Sequence, residues 1–262
     1  MPLRRSPIAA LLFALLIPLI GPPPPAQAVT ATEAEAQLLG WINDARQDRG
    51  LVPLMPWGEL SSIAGYRAGR MAALNQLSHT AAGSLRARLD AEGVDWTRYG
   101  ESIAWSTASW PSNAALSLFR TWRDSAPHWA LLMSTHFNYV GVGLALRSSN
   151  SRTYGSVVLT ESPDHSGALS RMTGVSRSGD DVTWSWSGTD RLLQTHTAYL
   201  RDFDVQYRMD GGSWLWIRDN TTGTRITLLN RYHGHSHFMR VRATDRRGNV
   251  GAWTSPLGIY VP

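Results

Sequence analysis

The sequence predicts an α+β protein in which an α-β-α layered domain precedes an all-β sandwich. Residues 32–124 carry apolar side chains at helical spacing, broken by Gly and Pro. From residue 139 onward the period changes, and β-rich runs alternate with turn signals at spacings of about ten residues. A chain of 262 residues is long enough for two domains of ordinary size. Helices flanking a short sheet and then a run of strands give this fold class.

The first 28 residues are predicted to be an export signal. Arg4-Arg5 supplies the positive start, Ile8–Ile20 is an apolar run, and Ala26-Gln27-Ala28 has the small-residue pattern of a cleavage site. The apolar run is shorter than the ~20 residues that a membrane-spanning helix needs. We therefore expect cleavage, a secreted and extracellular mature protein, and no transmembrane segment after cleavage.

The composition narrows the classes of partner. The chain has no Cys and a net charge of +5, and all 25 basic residues are Arg. A secreted chain without Cys is a common bacterial solution, and such a fold depends on packing alone. The positive charge would favour acidic cell-wall polymers or anionic lipids, but no basic run stands out. We therefore predict no nucleic-acid partner; the sequence leaves the oligomeric state open.

Four helices and a hairpin are predicted in the layered domain. Thr32-x-x-Glu35 is interpreted as a capping box for the first helix, which ends at Gly50. The second helix extends from about Leu60 to Ser78-His79. The remaining elements are helices at 84–92 and 113–124 and strands at 139–146 and 154–160.

A polar segment without periodicity, Ser162–Arg171, is predicted to be a linker. The alternating runs that follow, among them Val182–Trp186, Phe203–Tyr207 and Phe238–Ala243, indicate a seven-strand sandwich. The predicted organisation is a signal peptide at 1–28, a layered domain at 29–161, a linker at 162–171 and a sandwich at 172–262.

Four short motifs follow one another in the layered domain. They are Ser78-His79, Gly100-Glu101-Ser102-Ile103-Ala104, Trp122-x-x-Ser125-x-x-His128 and Val140-Gly-Val-Gly143. In this order they resemble the CAP superfamily (cysteine-rich secretory proteins, antigen 5 and pathogenesis-related proteins), in its cysteine-free bacterial branch. The resemblance covers about residues 34–161 and implies an α-β-α layered domain.

The resemblance implies that His79 and Glu101 meet at the floor of one cleft. The family's cleft has two His and two acids, and its second His comes from a C-terminal strand motif that has no His in residues 154–160 here. His128 either takes that place or only caps its turn. Ser102 stands where the family has Asn, and Ser125 precedes His128 by three residues. Cleft residues are thus predicted at 79, 101, 102, 125 and 128, with a possible Zn²⁺ held by His79 and His128.

The run from Arg240 to Trp253 (RVRATDRRGNVGAW) resembles a fibronectin type III domain. The family's corner tyrosine is replaced by His237, which is expected to weaken the corner hydrogen bond. His233, His235 and His237 would share one face of a strand and could form a metal set, or they lie in an exposed loop.

Three functions remain open at this point. The favoured one is a non-catalytic binding protein whose cleft takes a small apolar or lipid ligand or a cell-wall component. The second is a metal-assisted hydrolase of peptides or wall material, with Glu101 as base and His79 as ligand or acid. The third is an adhesion or carbohydrate-binding module formed by the sandwich. It would use two Trp pairs, 184/186 and 214/216, one pair predicted in the core and the other on the surface.

Overall fold

The computed structural model describes residues 29–262; the predicted export signal lies outside this range. Within the described range, no helix combines the length and apolarity required to cross a membrane. The five helices of this range are α1 (Ala31–Gln47), α2 (Gly58–Leu74), α3 (Leu85–Ala91), α4 (Ser112–Arg123) and α5 (Ala126–Leu132). The N-terminal strands are β1 (Met55–Pro56), β2 (Arg98–Ser106), β3 (Tyr139–Arg147) and β4 (Arg152–Glu161).

These four strands form one sheet between two helical layers. The strand order is β1-β3-β4-β2, so β2 is an edge strand, paired antiparallel with β4. Helix α2 packs on β3 and β4, while α1, α4 and α5 pack on the other face. Apolar side chains of α1 and α4, among them Leu38, Ile42 and Trp122, are fully buried against that face. The predicted α-β-α layering is therefore confirmed.

Two glycines explain how closely α2 lies on the sheet. A Cβ atom at Gly141 would collide with the backbone of Leu60, and one at Gly143 with the backbone of Ala64 and Gly65. Only a residue without a side chain allows the helix and strand backbones to approach this closely. The Val-Gly-Val-Gly motif therefore sets the separation between α2 and β3.

Two local predictions were wrong, and one helix was missed. The capping box is Thr30 with Glu33, so the predicted Thr32–Glu35 pair lies inside the helix. Helix α2 stops at Leu74 because Asn75 adopts a left-handed conformation that closes its last turn, and His79 consequently lies in the following loop. Helix α5 was not predicted.

The C-terminal domain is the predicted seven-strand sandwich, of fibronectin type III-like fold. The strands are β5 (Leu169–Ser178), β6 (Asp181–Thr189), β7 (Leu200–Met209), β8 (Leu215–Thr221), β9 (Arg225–Leu228), β10 (His235–Asp245) and β11 (Leu257–Val261). One sheet has the order β5-β6-β9 and the other β11-β10-β7-β8. Trp184 and Trp186 are buried between the sheets, as predicted for one pair. Of the other pair, Trp216 is exposed and Trp214 is half-buried, so the surface pair is found only in part.

His237 keeps the corner hydrogen bond that its substitution for tyrosine was expected to weaken. Its fully buried imidazole donates from Nε2 to the carbonyl of Tyr232, 2.9 Å away. With Nε2 as the donor, a neutral ring accepts at Nδ1, where the Tyr207 hydroxyl lies at 2.6 Å. Both ring nitrogens are satisfied, so His237 replaces the tyrosine without leaving an unpaired group.

The segment predicted as a linker is partly buried. Ser162 and Asp164 are fully shielded from solvent, and strand β5 begins at Leu169, three residues before the predicted start of the sandwich. Asn138 on the layered domain donates to the carbonyls of Ser162 and Thr195, at 2.6 and 3.0 Å. These contacts fix the segment against both domains.

A second connection comes from residues 190–199, which join β6 to β7 and which we call the junction loop. Leu193 of this loop is buried among the apolar side chains of α2 and α3. The side-chain oxygen of Gln194 accepts from the amide of Val52 at 2.9 Å and from Arg46 at 3.4 Å. The sandwich therefore contributes a side chain to the core of the layered domain.

Candidate functional site

The candidate site lies on edge strand β2, where successive side chains point to opposite faces of the sheet. Glu101 points toward α2, on the same side as Ile103, which packs against Met71. Ser102 points to the other face, on the side of Ala104. Strand geometry alone therefore separates these two predicted cleft residues.

The carboxylate of Glu101 is buried and fully engaged. Arg67, in the middle of α2, donates to both of its oxygens, with Nη2 at 2.9 Å from Oε2. Ser156 of β4 donates to Oε1 at 2.9 Å, and Nδ1 of His79 lies 2.7 Å from Oε2. The Glu101 side chain is 5% exposed, so these four donors replace the hydrogen bonds to water that burial removes.

His79 is the accessible member of this cluster. Its side chain is 58% exposed, although its Nδ1 is bonded to buried Glu101. Because a carboxylate only accepts, Nδ1 carries the proton, and Nε2 of the neutral ring is left as an acceptor. Arg67 also donates to the carbonyls of His79 and Gly83, at 2.5 and 3.2 Å, which fixes the loop that carries the imidazole.

His128 approaches from the opposite layer, on the first turn of α5. Its Nδ1 lies 2.8 Å from the hydroxyl of Ser125, the residue before the helix. Partial burial lowers the pKa of His128, and the charge that His79 carries when it is protonated lowers it further. The hydrogen bond to Ser125 agrees with the turn-capping interpretation of His128, and the electrostatic effect of His79 agrees with the cleft interpretation.

We expect the pKa of His128 to rise in a His79→Ala variant, because the charge of His79 is removed while the burial remains. NMR titration of the imidazole protons measures this, with His233 on the sandwich as the internal control. A lowered folded-state pKa favours the neutral ring, so its stabilising contribution is present above about pH 6.5 and is lost as the pH falls through the lowered pKa. A pKa of His128 that stays constant in His79→Ala would contradict the proximity of the two rings.

The family's metal set does not fit this cluster. Arg67 occupies both oxygens of Glu101, which leaves only two imidazole nitrogens, from His79 and His128, as ligands. A structural zinc site needs four protein ligands and a catalytic one needs three. In residues 29–262, the one group of three His or acidic side chains with atoms close enough for a shared ion lies elsewhere, at Asp164, Asp190 and Asp245.

The three histidines near residue 235 do not converge on a shared point. His233 bonds Asp180 and the carbonyl of Pro262, at 3.1 and 2.5 Å. His235 bonds Asp210 at 2.6 Å, and His237 is buried at the corner described above. Each ring has its own protein partner, so the structure does not support the metal set that their spacing suggested.

Two residues of the cluster were missed from the sequence, and one predicted residue lies outside it. Arg67 occupies the apolar stripe of α2 between Ile63 and Met71, and a charged side chain on a buried stripe signals a buried partner. Ser156 gave no such signal. The hydroxyl of Ser102 is fully buried and has no hydrogen-bond partner in the described chain.

An apolar pocket of about 580 Å³ lies between β2 and α5. Tyr99 and Pro127 line it, two residues from Glu101 and one from His128 in sequence. Leu131 and Phe137 also line it, and both would contact a Cβ at Gly100, which places them on the face of β2 opposite to Glu101. The pocket therefore shares two elements with the polar cluster, but no side chain of the cluster lines it.

The layered sheet, the close contact of α2 with β3 and the His79–Glu101 pair agree with a family match over residues 39–160, to the family described as "CAP: Cysteine-rich secretory protein family". The N-terminal domain is a CAP domain. No curated protein matches the chain.

Among solved structures, an extracellular protein with an SCP domain from Bacillus anthracis str. Ames is 19% identical over 52% of this chain and 45% of its own, with a TM-score of 0.44. An outer surface protein from Borrelia burgdorferi is 17% identical over 51% of this chain and 96% of its own, with a TM-score of 0.45. A Fn3-like protein from Clostridium thermocellum is 18% identical over 37% of this chain and 96% of its own, with a TM-score of 0.27. The chain spans less than half the length of the Bacillus protein.

Proposed function

We propose that this CAP-domain protein is a secreted binding protein that holds a small apolar or cell-wall-derived ligand at His79, Glu101 and His128 without converting it. The observation that supports this proposal is the engagement of Glu101 by Arg67, His79 and Ser156. A general base must offer a free lone pair to the proton that it removes. Glu101 instead orients His79.

The cluster favours a ligand with one polar end. The exposed imidazole of His79 presents an acceptor nitrogen in a fixed orientation, as a ligand hydroxyl or amide would require. The separate pocket between β2 and α5, lined by Tyr99, Leu131 and Phe137, would take an apolar portion of about the size of a small lipid chain if the ligand extends around edge strand β2. The same arrangement suits a short peptide or sugar fragment of the cell wall.

The test is calorimetric titration of residues 29–262 with two probes, dodecanoate and an N-acetylglucosaminyl-N-acetylmuramyl dipeptide. We expect at least one to bind. His79→Ala should weaken that binding by about two- to tenfold, since a hydrogen bond to a neutral, half-exposed acceptor contributes roughly 0.5–1.5 kcal/mol. Ser102→Ala and His235→Ala should retain wild-type affinity, because neither side chain lies in the cluster.

The same proteins distinguish the binding proposal from the metal-assisted hydrolase. It requires Zn²⁺ binding that is lost in both His79→Ala and His128→Ala, together with release of cleaved product from the muramyl dipeptide probe. That pair of results would replace the binding proposal with the hydrolase. If neither probe binds, the binding proposal is contradicted as well.

A further inference from the structure

Three arginines and three tryptophans alternate on the outer face of sheet β11-β10-β7-β8. The guanidinium carbon of Arg240 lies 4.3 Å from the ring centre of Trp214 and 4.7 Å from that of Trp253. Arg208 lies 4.6 Å from Trp214. Arg242 lies 4.8 Å from Trp253 and 5.5 Å from Trp216. We call these six residues the Arg–Trp row.

The register of the sheet places the three arginines at successive levels along the strand direction, two on β10 and one on β7. Met239, Val241 and Ala243 of β10 point into the core, so Arg240 and Arg242 point outward between them. Residues two apart on a strand are separated by about 7 Å. Arg208 of β7 lies opposite Phe238, which continues the spacing beyond Arg240.

The guanidinium groups are held in place but only partly neutralised. Gln206 accepts from Nε and Nη2 of Arg240, at 3.0 and 2.7 Å, and Asp204 accepts from Nε of Arg242 at 2.8 Å. Asp204 is the only carboxylate bonded to the three arginines within residues 29–262. Burial, followed by the charges of Arg208 and Arg242, lowers the pKa of Arg240, as expected for crowded cations.

We propose that the Arg–Trp row binds a linear anionic polysaccharide. Planar guanidinium groups match carboxylate, sulfate and phosphate groups, and their stacking on the rings reduces the side-chain entropy that binding would cost. Three cations at successive levels of the sheet fit a polymer with repeating charges better than a single ion. The ring of Trp216 is 54% exposed and offers a surface on which a sugar can stack.

Single-stranded nucleic acid fits the row less well. Such strands bind by stacking successive bases on free aromatic faces. Trp214 and Trp253 each already contact two guanidinium groups, which leaves Trp216 as the ring with room for a base.

The test is calorimetric titration of residues 29–262 with heparin and with polygalacturonate, at low and at physiological ionic strength, with neutral dextran as the blank. We expect wild type to bind at least one of the two polyanions, with affinity falling as salt rises. Arg208→Gln combined with Arg240→Gln should weaken binding by about tenfold or more, roughly 1.4 kcal/mol per factor of ten. Arg240→Lys, which keeps the charge but loses the planar fork, should weaken it less.

The matched control is Arg171→Gln combined with Arg177→Gln, which makes the same change in net charge on the other sheet of the sandwich. An equal loss in this control would show that net charge alone attracts the polymer and would overturn the proposal. So would failure of wild type to bind either polyanion, tighter binding to single-stranded DNA, or binding to anionic phospholipid vesicles alone. His79→Ala should leave the polysaccharide affinity unchanged, so this test is independent of the CAP site.

Discussion

Replacing Arg67 with methionine is expected to lower the free energy of unfolding by about 3–5 kcal/mol, the cost of leaving one member of a buried ion pair without its partner. Methionine has nearly the same length, so little cavity forms. The loss comes from the Glu101 carboxylate, which keeps only Ser156 and His79, and from the carbonyls of His79 and Gly83. Urea denaturation followed by circular dichroism measures it.

The double variant Arg67→Met/Glu101→Gln separates this cause from simple loss of packing. If the penalty comes from an unpaired buried charge, removing the charge restores part of the stability, and the double variant is more stable than Arg67→Met alone. A double variant no more stable than the single one would show that Glu101 does not carry the penalty. It would also contradict the assignment of Glu101 as a buried carboxylate that depends on Arg67.

Leu193→Ala is expected to destabilise the CAP domain by about 2–4 kcal/mol, even though Leu193 belongs to the sandwich in sequence. Its side chain belongs to the buried apolar cluster that includes Leu60 and Ile63 of α2, so truncation leaves a cavity inside the neighbouring domain. The measurement is hydrogen exchange of amides in α2 and in β6, which reports the stability of each domain separately. Loss of protection should be larger in α2.

Leu192→Ala is the matched control, since the adjacent leucine is 66% exposed. Its effect should stay within about 0.5 kcal/mol. Equal effects of the two substitutions would contradict the burial of Leu193 in the CAP core. If the prediction holds, deletion of residues 172–262 does not produce an intact CAP domain, and binding assays require the full described chain.

Sequence patterns predicted the layers and strands because those depend on local periodicity. The alternation around Trp184 and Trp186 predicted the sandwich core, and the β-rich runs at 139–146 and 154–160 predicted two strands of the layered sheet. The first capping box was misplaced because Thr30 and Thr32 both have Glu three residues later. Local spacing alone did not distinguish between them.

The site was only partly predictable because its contacts are non-local. His79 and Glu101 were paired from motif order, and Ser156 reaches them only through the β2–β4 register. Helix α5 was missed because it is a single short helix that begins with Ala126-Pro127. The junction loop contains no sequence pattern that specifies a partner in another domain. Its contribution to the CAP core could therefore not be predicted from the sequence.

The lack of side chains at Gly141 and Gly143 also determines the geometry of the candidate site. Any bulk on that strand would lift α2 from the sheet, and Arg67 would move away from the carboxylate that it clamps. His79 would follow, because the same guanidinium holds its loop. The position of Arg67 and His79 is therefore set by strand β3, although β3 contributes no atom to the site. We expect a larger residue at Gly141 or Gly143 to lower ligand affinity as much as substitution of His79 does.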